Sequence, residues 1–154
     1  MAATRFELVS EWRFATPIER IWAELITPEK WPDWWRAVKA VSLVAEGDRD
    51  GIGTVRRFTW GTALPYTLNM EATRIEPMRL LEGRARGELD GVGLWTLTPE
   101  GEGTHVRYDW QIDVTRPWQV MLAPLLRPVF AWNHNVVMGW GYEDLKTRLI
   151  KTAN

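Results

Sequence analysis

Cysteine is absent from this chain, which removes any disulfide frame, any thiolate nucleophile and the commonest zinc signatures, and fits a reducing compartment. Histidine occurs only at His105 and His134, too far apart to read as a metal pair, so no metal site is expected. Serine is confined to Ser10 and Ser42. Neither is flanked by glycines, so there is no serine-nucleophile elbow. An excess of charge of either sign is also missing: nineteen basic residues against twenty acidic give a net charge of -1. No global field therefore draws the chain to nucleic acid or to an anionic membrane. The N-terminus, Met1 to Glu7, lacks the apolar run of a secretory signal, and a cytoplasmic location is the expectation. The longest uncharged stretch, residues 129–142, is too short and too polar at Asn133, His134 and Asn135 to span a bilayer. Asp90-Gly91-Val92-Gly93 falls inside a strand pattern rather than between a strand and a helix, so it is no phosphate loop, and no cofactor is expected.

What the chain does hold is tryptophan, eleven of them in 154 residues. Each buries roughly 150–250 Å² and, once buried, needs an acceptor for its indole N–H. Most are expected to be packing; the remainder point to a pocket or a contact surface. The length suits one domain, residues 1–154, with one sizeable core.

Periodicity orders the chain. Residues 6–14 alternate, with Phe6, Leu8, Ser10, Trp12 and Phe14 on one face, as in a strand buried on one side. Thr16-Pro17-Ile18-Glu19 reads as a capping box with proline at the first helical position, followed by the stripe Ile18, Ile21, Trp22, Leu25 and Ile26. Thr27-Pro28 starts another helical turn, which carries Trp31, Trp34 and Trp35 around Pro32. The two short helices are expected to plug one end of a sheet. Six strands follow, over residues 38–45, 54–60, 66–75, 79–86, 89–97 and 104–114. Gly83 and Gly87 mark a bulge or bend in the fourth of these, and Pro99-Glu100-Gly101-Glu102-Gly103 marks a tight turn before the last. In that last strand Val106, Tyr108, Trp110, Ile112 and Val114 oppose a polar face that carries His105. Arg56, Arg57, Arg84, Arg86 and Arg107 alternate with acids and read as cross-strand ion pairs on a solvated face. From Pro128 to about Lys151 the period becomes helical, with Phe130, His134, Val137, Met138, Gly141, Leu145 and Leu149 on one stripe. Pro128 suits a first helical turn. Gly139 and Gly141 weaken the helix by about 1 kcal/mol each and are read as leaving room against the sheet. A second stripe, Val129, Trp132, Val136 and Trp140, is expected to pack beneath the preceding segment, residues 115–127, which carries Trp118, Met121, Leu122, Leu125 and Leu126. That segment is read as packing, with a lid or a partner surface as alternatives.

The expected fold is α+β: a curved seven-stranded antiparallel sheet wrapped around a long C-terminal helix, with two short helices after the first strand. Three stretches, Ala15-Thr16-Pro17-Ile18-Glu19-Arg20-Ile21-Trp22, Trp31-Pro32-Asp33-Trp34-Trp35 and Glu76-Pro77, resemble the START-related or SRPBCC superfamily, which includes the birch-pollen allergen. Trp132-Asn133-His134-Asn135 with Met138 and Gly141 resembles its bacterial polyketide cyclase/dehydrase-like branch. The resemblance implies a helix-grip fold and a hydrophobic pocket between helix and sheet, and leaves the ligand open. The residues expected to line it are Trp12, Phe58, Trp60, Tyr66, Leu68, Met70, Trp95, Tyr108, Trp110, Phe130, Asn133, His134, Val137, Met138 and Gly141. Binding or carriage of a small hydrophobic ligand, aromatic, polyketide-like or lipid-like, is the first expectation. A cyclase or dehydratase with His134 as its proton-transfer group is the second. An interaction module such as a chaperone co-activator, working through residues 118–126, is the third. Neither nucleic acid nor an integral membrane span is expected among its partners.

Overall fold

The computed structural model describes residues 4–62, 65–87, 89–114 and 116–152; the readings that touch Met1, Ala2, Ala3 and Thr115 lie outside the described residues. The chain runs β1 (Thr4–Phe14), α1 (Ile18–Leu25), a 3₁₀ turn (Pro28–Lys30), α2 (Trp31–Trp34), β2 (Val38–Ala45), β3 (Val55–Trp60), β4 (Tyr66–Glu76), β5 (Leu80–Gly87), β6 (Asp90–Glu100), β7 (Gly103–Val114) and α3 (Pro117–Lys151). The strands form one antiparallel sheet in the order β1-β7-β6-β5-β4-β3-β2. Short hairpins connect β2 through β7 in sequence. β1 joins the far side because the two helices after it carry the chain across the sheet. This is the helix-grip α+β architecture with α3 against the concave face.

Alternation sets which face each strand buries. In β7, Val106, Trp110, Ile112 and Val114 are buried, and in β6 Gly91, Gly93, Trp95 and Leu97 are buried. Two apolar clusters result. The larger collects Trp12, Phe14, Trp31, Trp35, Phe58, Trp95, Met138 and Leu145 around the second half of α3. The smaller, under the first half, holds Phe6, Leu68, Ala85, Trp110, Ile112 and Ala123.

Several sequence readings are corrected. The capping box does not form: Pro17 is the N-cap and no side chain caps α1. Thr16 is one residue too early to cap, and its carbonyl instead accepts from the buried Thr104 hydroxyl at 2.7 Å. The turn expected over residues 99–103 shrinks to Gly101 and Glu102, because Pro99 and Glu100 pair with Thr104 and Gly103. Proline is tolerated there because β5 pairs with β6 only as far as Thr96, leaving that edge without a ladder to break. The bulge lies across from its expected strand, on β4 at Thr73, where the register slips opposite Gly83 and Glu82.

The largest correction concerns α3. It starts at Pro117, eleven residues before Pro128, so residues 117–127 are its first turns and not a separate lid or linker. Pro124 and Pro128 both sit inside it. The second stripe therefore has no separate segment over it: Trp140 instead packs against the larger cluster beside Arg36, while the rest of the outward face lies open. Trp118, Met121, Leu125 and Trp132 are 54%, 76%, 70% and 51% exposed.

The two halves of α3 are held differently. Around the second half, Trp35 donates its indole N–H to the Val137 carbonyl at 2.9 Å. Arg36 pairs with Asp144 at 2.8 Å, Arg148 with Glu24 at 2.6 Å, and the Tyr142 hydroxyl donates to the Arg13 carbonyl at 3.0 Å. Burial alone would raise the Asp144 carboxyl, but its bonds to Arg36 prevail and hold it below the usual range. The first half rests on β1 and β7 through Phe130 on Phe6, Arg127 over the Phe6 ring, and the buried Gln119 and Ala123.

Candidate functional site

Between the two clusters, under the middle of α3, lies a cavity of about 80 Å³. It is lined from β3 and β4 by Phe58, Trp60, Tyr66, Leu68 and Met70, and from β6 and β7 by Trp95, Tyr108, Trp110 and Ile112. Leu89 closes one side. Phe130, Asn133, His134, Val137 and Met138 form the helix wall, and Trp31 and Trp35 form the end behind α2. No Asp, Glu, Lys or Arg is among these residues.

The walls are built from local pattern. Even-numbered positions of β3, β4 and β7 face inward, so rings stack along the strands: Phe58 on Trp60 at 6.1 Å, Trp60 on Tyr66 at 6.2 Å, Tyr108 on Trp110 at 6.4 Å. On α3 the buried residues recur at three- and four-residue steps. The turn begun at Pro28 ends at Lys30, and Pro32 sits in the first turn of α2, where its missing N–H leaves no hydrogen bond unmade.

One wall is polar. His134 Nε2 lies 2.9 Å from Ser10 Oγ, and the His134 ring stacks on Tyr108. Ser10 is directly opposite Tyr108 in the β1–β7 register, which brings all three together. Burial pushes His134 down to about 4, so it is neutral at physiological pH. Burial also raises the Tyr66 hydroxyl well above its ordinary value, although a hydrogen bond with Asn133 works the other way. Asn133 in turn accepts from the Thr62 hydroxyl. Burial, with Tyr66 nearby, raises Tyr108 too. The Trp60 indole N–H is buried with no partner among the described residues.

Of the expected lining residues, thirteen surround the cavity and two do not. Trp12 packs behind it, 5.3 Å from Trp95 and 5.8 Å from Trp35. Gly141 leaves room for protein, not for a cavity: a Cβ there would stand 2.7 Å from the Trp35 indole. Beside Gly139 there is open space. His105, on the outer face of β7, meets Glu11 at 3.0 Å. Trp31, Trp35, Leu89 and Ile112 line the cavity although sequence reasoning did not place them there, and Ser10 was not connected to His134. Ser10 had a signal, as the one small polar residue on the apolar face of β1. Among the described residues no group of three or more His, Asp or Glu converges as a metal site, and no helix is long and apolar enough to cross a membrane.

Comparison with known proteins places this geometry. Residues 5–149 match the family model for polyketide cyclase/dehydrase and lipid transport. The structure resembles the ZhuI aromatase/cyclase of Streptomyces sp. R1128, with a TM-score of 0.79 at 15% identity over 98% of this chain and 99% of that one. It resembles a START superfamily protein of Mycobacterium smegmatis, with a TM-score of 0.77 at 13% identity over 94% and 97%. A third likeness is norcoclaurine synthase of Thalictrum flavum, with a TM-score of 0.73 at 11% identity over 100% and 99%. No curated protein sequence matches significantly. At these identities the likenesses establish the shared fold, while the family match over nearly the whole sequence establishes membership: the chain belongs to the polyketide cyclase/dehydrase and lipid transport family.

Proposed function

We propose that the protein binds and carries a small, uncharged, aromatic or lipid-like molecule in the cavity between α3 and the sheet. The observation that carries this reading is the lining itself: aromatic and aliphatic walls without a charged side chain among the described residues. A ligand charge buried there would lack a counter-ion and would cost several kcal/mol. The polar wall at Tyr66, Tyr108, Asn133 and His134, with the free N–H of Trp60, suits a carbonyl or hydroxyl substituent. The present cavity is small beside the roughly 300–1,000 Å³ of most ligand pockets. Occupation therefore includes rearrangement of Met70, Met138 and Phe130, of which the methionines are the most adaptable.

The test is titration with N-phenyl-1-naphthylamine, an uncharged aromatic dye, together with a melting curve. The expected result is enhanced dye fluorescence and a raised melting temperature, both lost in Met70→Trp, which fills the space. If neither this dye nor an uncharged lipid analogue shifts melting, the reading fails.

A cyclase or dehydratase is the second reading, favoured by His134 and Tyr108 stacked on the cavity wall, with Ser10 bonded to His134, and by the aromatase/cyclase likeness. A histidine held near 4 is a weak proton acceptor at neutral pH, and this is why carriage is placed first. Turnover of an aromatic polyketide that is lost in His134→Gln, with binding retained, would reverse that order.

A further inference from the structure

The outward face of the first half of α3 is symmetric in sequence. Its exposed apolar residues are Trp118, Met121, Leu122, Leu125, Val129 and Trp132, and the exposed Pro128 joins them. Counted from Leu125, they stand seven, four and three residues before it and three, four and seven residues after it. These are the steps that keep side chains on one helical face, here along about 21 Å of helix. Trp118 closes one end and Trp132 the other. Beyond Trp132 the exposed positions are Asn135 and Gly139, so the open apolar surface ends there.

A stripe that reads alike in both directions from its centre matches a copy of itself laid antiparallel across a two-fold axis, because such an axis exchanges the two sides of one patch. With the axis at Leu125, that residue meets the partner's Leu125, Met121 meets the partner's Val129, Leu122 the partner's Pro128 and Trp118 the partner's Trp132. No stripe residue is charged. The two arginines nearby are engaged within their own chain: Arg127 lies over the Phe6 ring, and Arg116 donates to the Gly87 carbonyl at 2.7 Å. An anionic membrane is the poorer match, since helices that lie on one carry lysine or arginine along their polar side, and from residue 117 to residue 142 Arg127 is the only charge. The area also fits a second copy. Weighted by exposure, at roughly 200 Å² per full side chain, the six exposed residues leave roughly 650 Å² open, above what a typical monomer shows in one patch. Two copies would cover roughly 1,300 Å² between them, within the range of specific stable interfaces.

We propose that the protein forms a two-fold symmetric dimer through the outward faces of two α3 helices, paired antiparallel about Leu125. The pairing fastens the half of α3 that the Arg36–Asp144 and Arg148–Glu24 pairs do not reach. It therefore bears from outside on the turn that carries Phe130 into the cavity wall.

Sedimentation equilibrium of the full chain, from low micromolar to about 100 µM, tests it. The expected result is a dimer with a micromolar or tighter dissociation constant, weakened at least a hundredfold in Leu125→Asp, which sets two carboxylates against each other on the axis. Leu125 is 70% exposed, so this variant should keep the circular dichroism of the parent and the melting temperature of the diluted parent. Because the chain has no cysteine, single-cysteine variants report the register directly. Leu125→Cys should crosslink the dimer on oxidation, whereas Asn135→Cys, exposed on the same helix but ten residues from the axis, should not. A protein monomeric throughout that range overturns the proposal. So does a dimer indifferent to Leu125→Asp, or one that Leu125→Cys does not crosslink in preference to Asn135→Cys. A monomer that partitions onto phosphatidylcholine vesicles, and loses this in Leu125→Asp, would also overturn it, by naming lipid as the cover.

Discussion

Gly141→Ala and Gly139→Ala, two residues apart on one helix, should change stability in opposite directions. In a helix interior, Gly→Ala gains about 1 kcal/mol from propensity alone. At Gly139 nothing lies within 4 Å of where the Cβ would stand, so the variant should keep that gain. At Gly141 the Cβ would stand 2.7–2.9 Å from three atoms of the Trp35 indole. These are the fused edge of a fully buried ring that donates to the Val137 carbonyl at 2.9 Å. The ring has no flexible end that can give way, so it must move as a body. Overpacking costs about 1–3 kcal/mol, and stranding a buried N–H costs about 1–3 kcal/mol more. Set against the propensity gain, these terms leave Gly141→Ala a loss of about 1–5 kcal/mol, centred near ~3 kcal/mol. For a chain of this size each kcal/mol moves Tm by about 2–4 °C. Calorimetry should therefore show Gly139→Ala a few degrees above the parent and Gly141→Ala about 5–15 °C below it, with altered tryptophan emission. A Gly141→Ala protein as stable as the parent would refute the docking of Trp35 on the helix backbone as the reason for that glycine.

Three further outcomes follow from the site. His134 is held near 4 against an ordinary value of 6.5; its neutral form stabilises the fold fully above pH 6.5. Below that the unfolded chain takes up the proton first, so stability falls as pH drops from 6.5 towards 4, by on the order of 3 kcal/mol. In urea titrations His134→Gln should flatten that slope, and an unchanged slope would mean the burial of His134 is not its source. Trp35→Phe breaks the bond to Val137, whereas Trp60→Phe removes an N–H that has no partner among the described residues. The first should therefore lower Tm by at least 5 °C more than the second, and equal losses would contradict the hydrogen-bond account. Tyr108→Phe removes a hydroxyl facing the cavity and should leave Tm of the ligand-free protein within about 2 °C, as expected for a change within ~0.5 kcal/mol; a larger drop would mean that hydroxyl supports the fold.

Much of the fold was legible because the chain keeps its periods clean. The alternation of Val106, Trp110, Ile112 and Val114 has one structural solution, and so does the stripe His134, Val137, Gly141 and Leu145. Proline was the misleading signal. At position 128 it reads as a helix start, yet the lost hydrogen bond and the ring's crowding of the preceding turn are outweighed by burial of Gln119 and by the apolar contacts of Ala123 and Phe130 with the sheet, which carry the helix past it. Pairings between distant elements were out of reach for a different reason. Ser10 meets His134 and Trp35 meets Gly141 only once a strand register and a helix crossing are both fixed, and neither is a property of a local window. Cavity size was equally hidden, since it depends on how some seventeen lining side chains share one interior.

Pro124 and Pro128 have a kinetic consequence as well. Neither supplies a backbone N–H, so the carbonyls of Val120 and Pro124 lose their normal donors within two successive turns. Beyond them Trp35, Asp144 and Arg148 fasten the rod to the rest of the molecule. Local opening of α3 should then start from its leading end and stop near Asn133. Amide exchange along the helix would read this as a gradient, fast at Met121 and slow at Leu145, with the cavity-lining turn at Asn133 and His134 at the boundary between the two regimes.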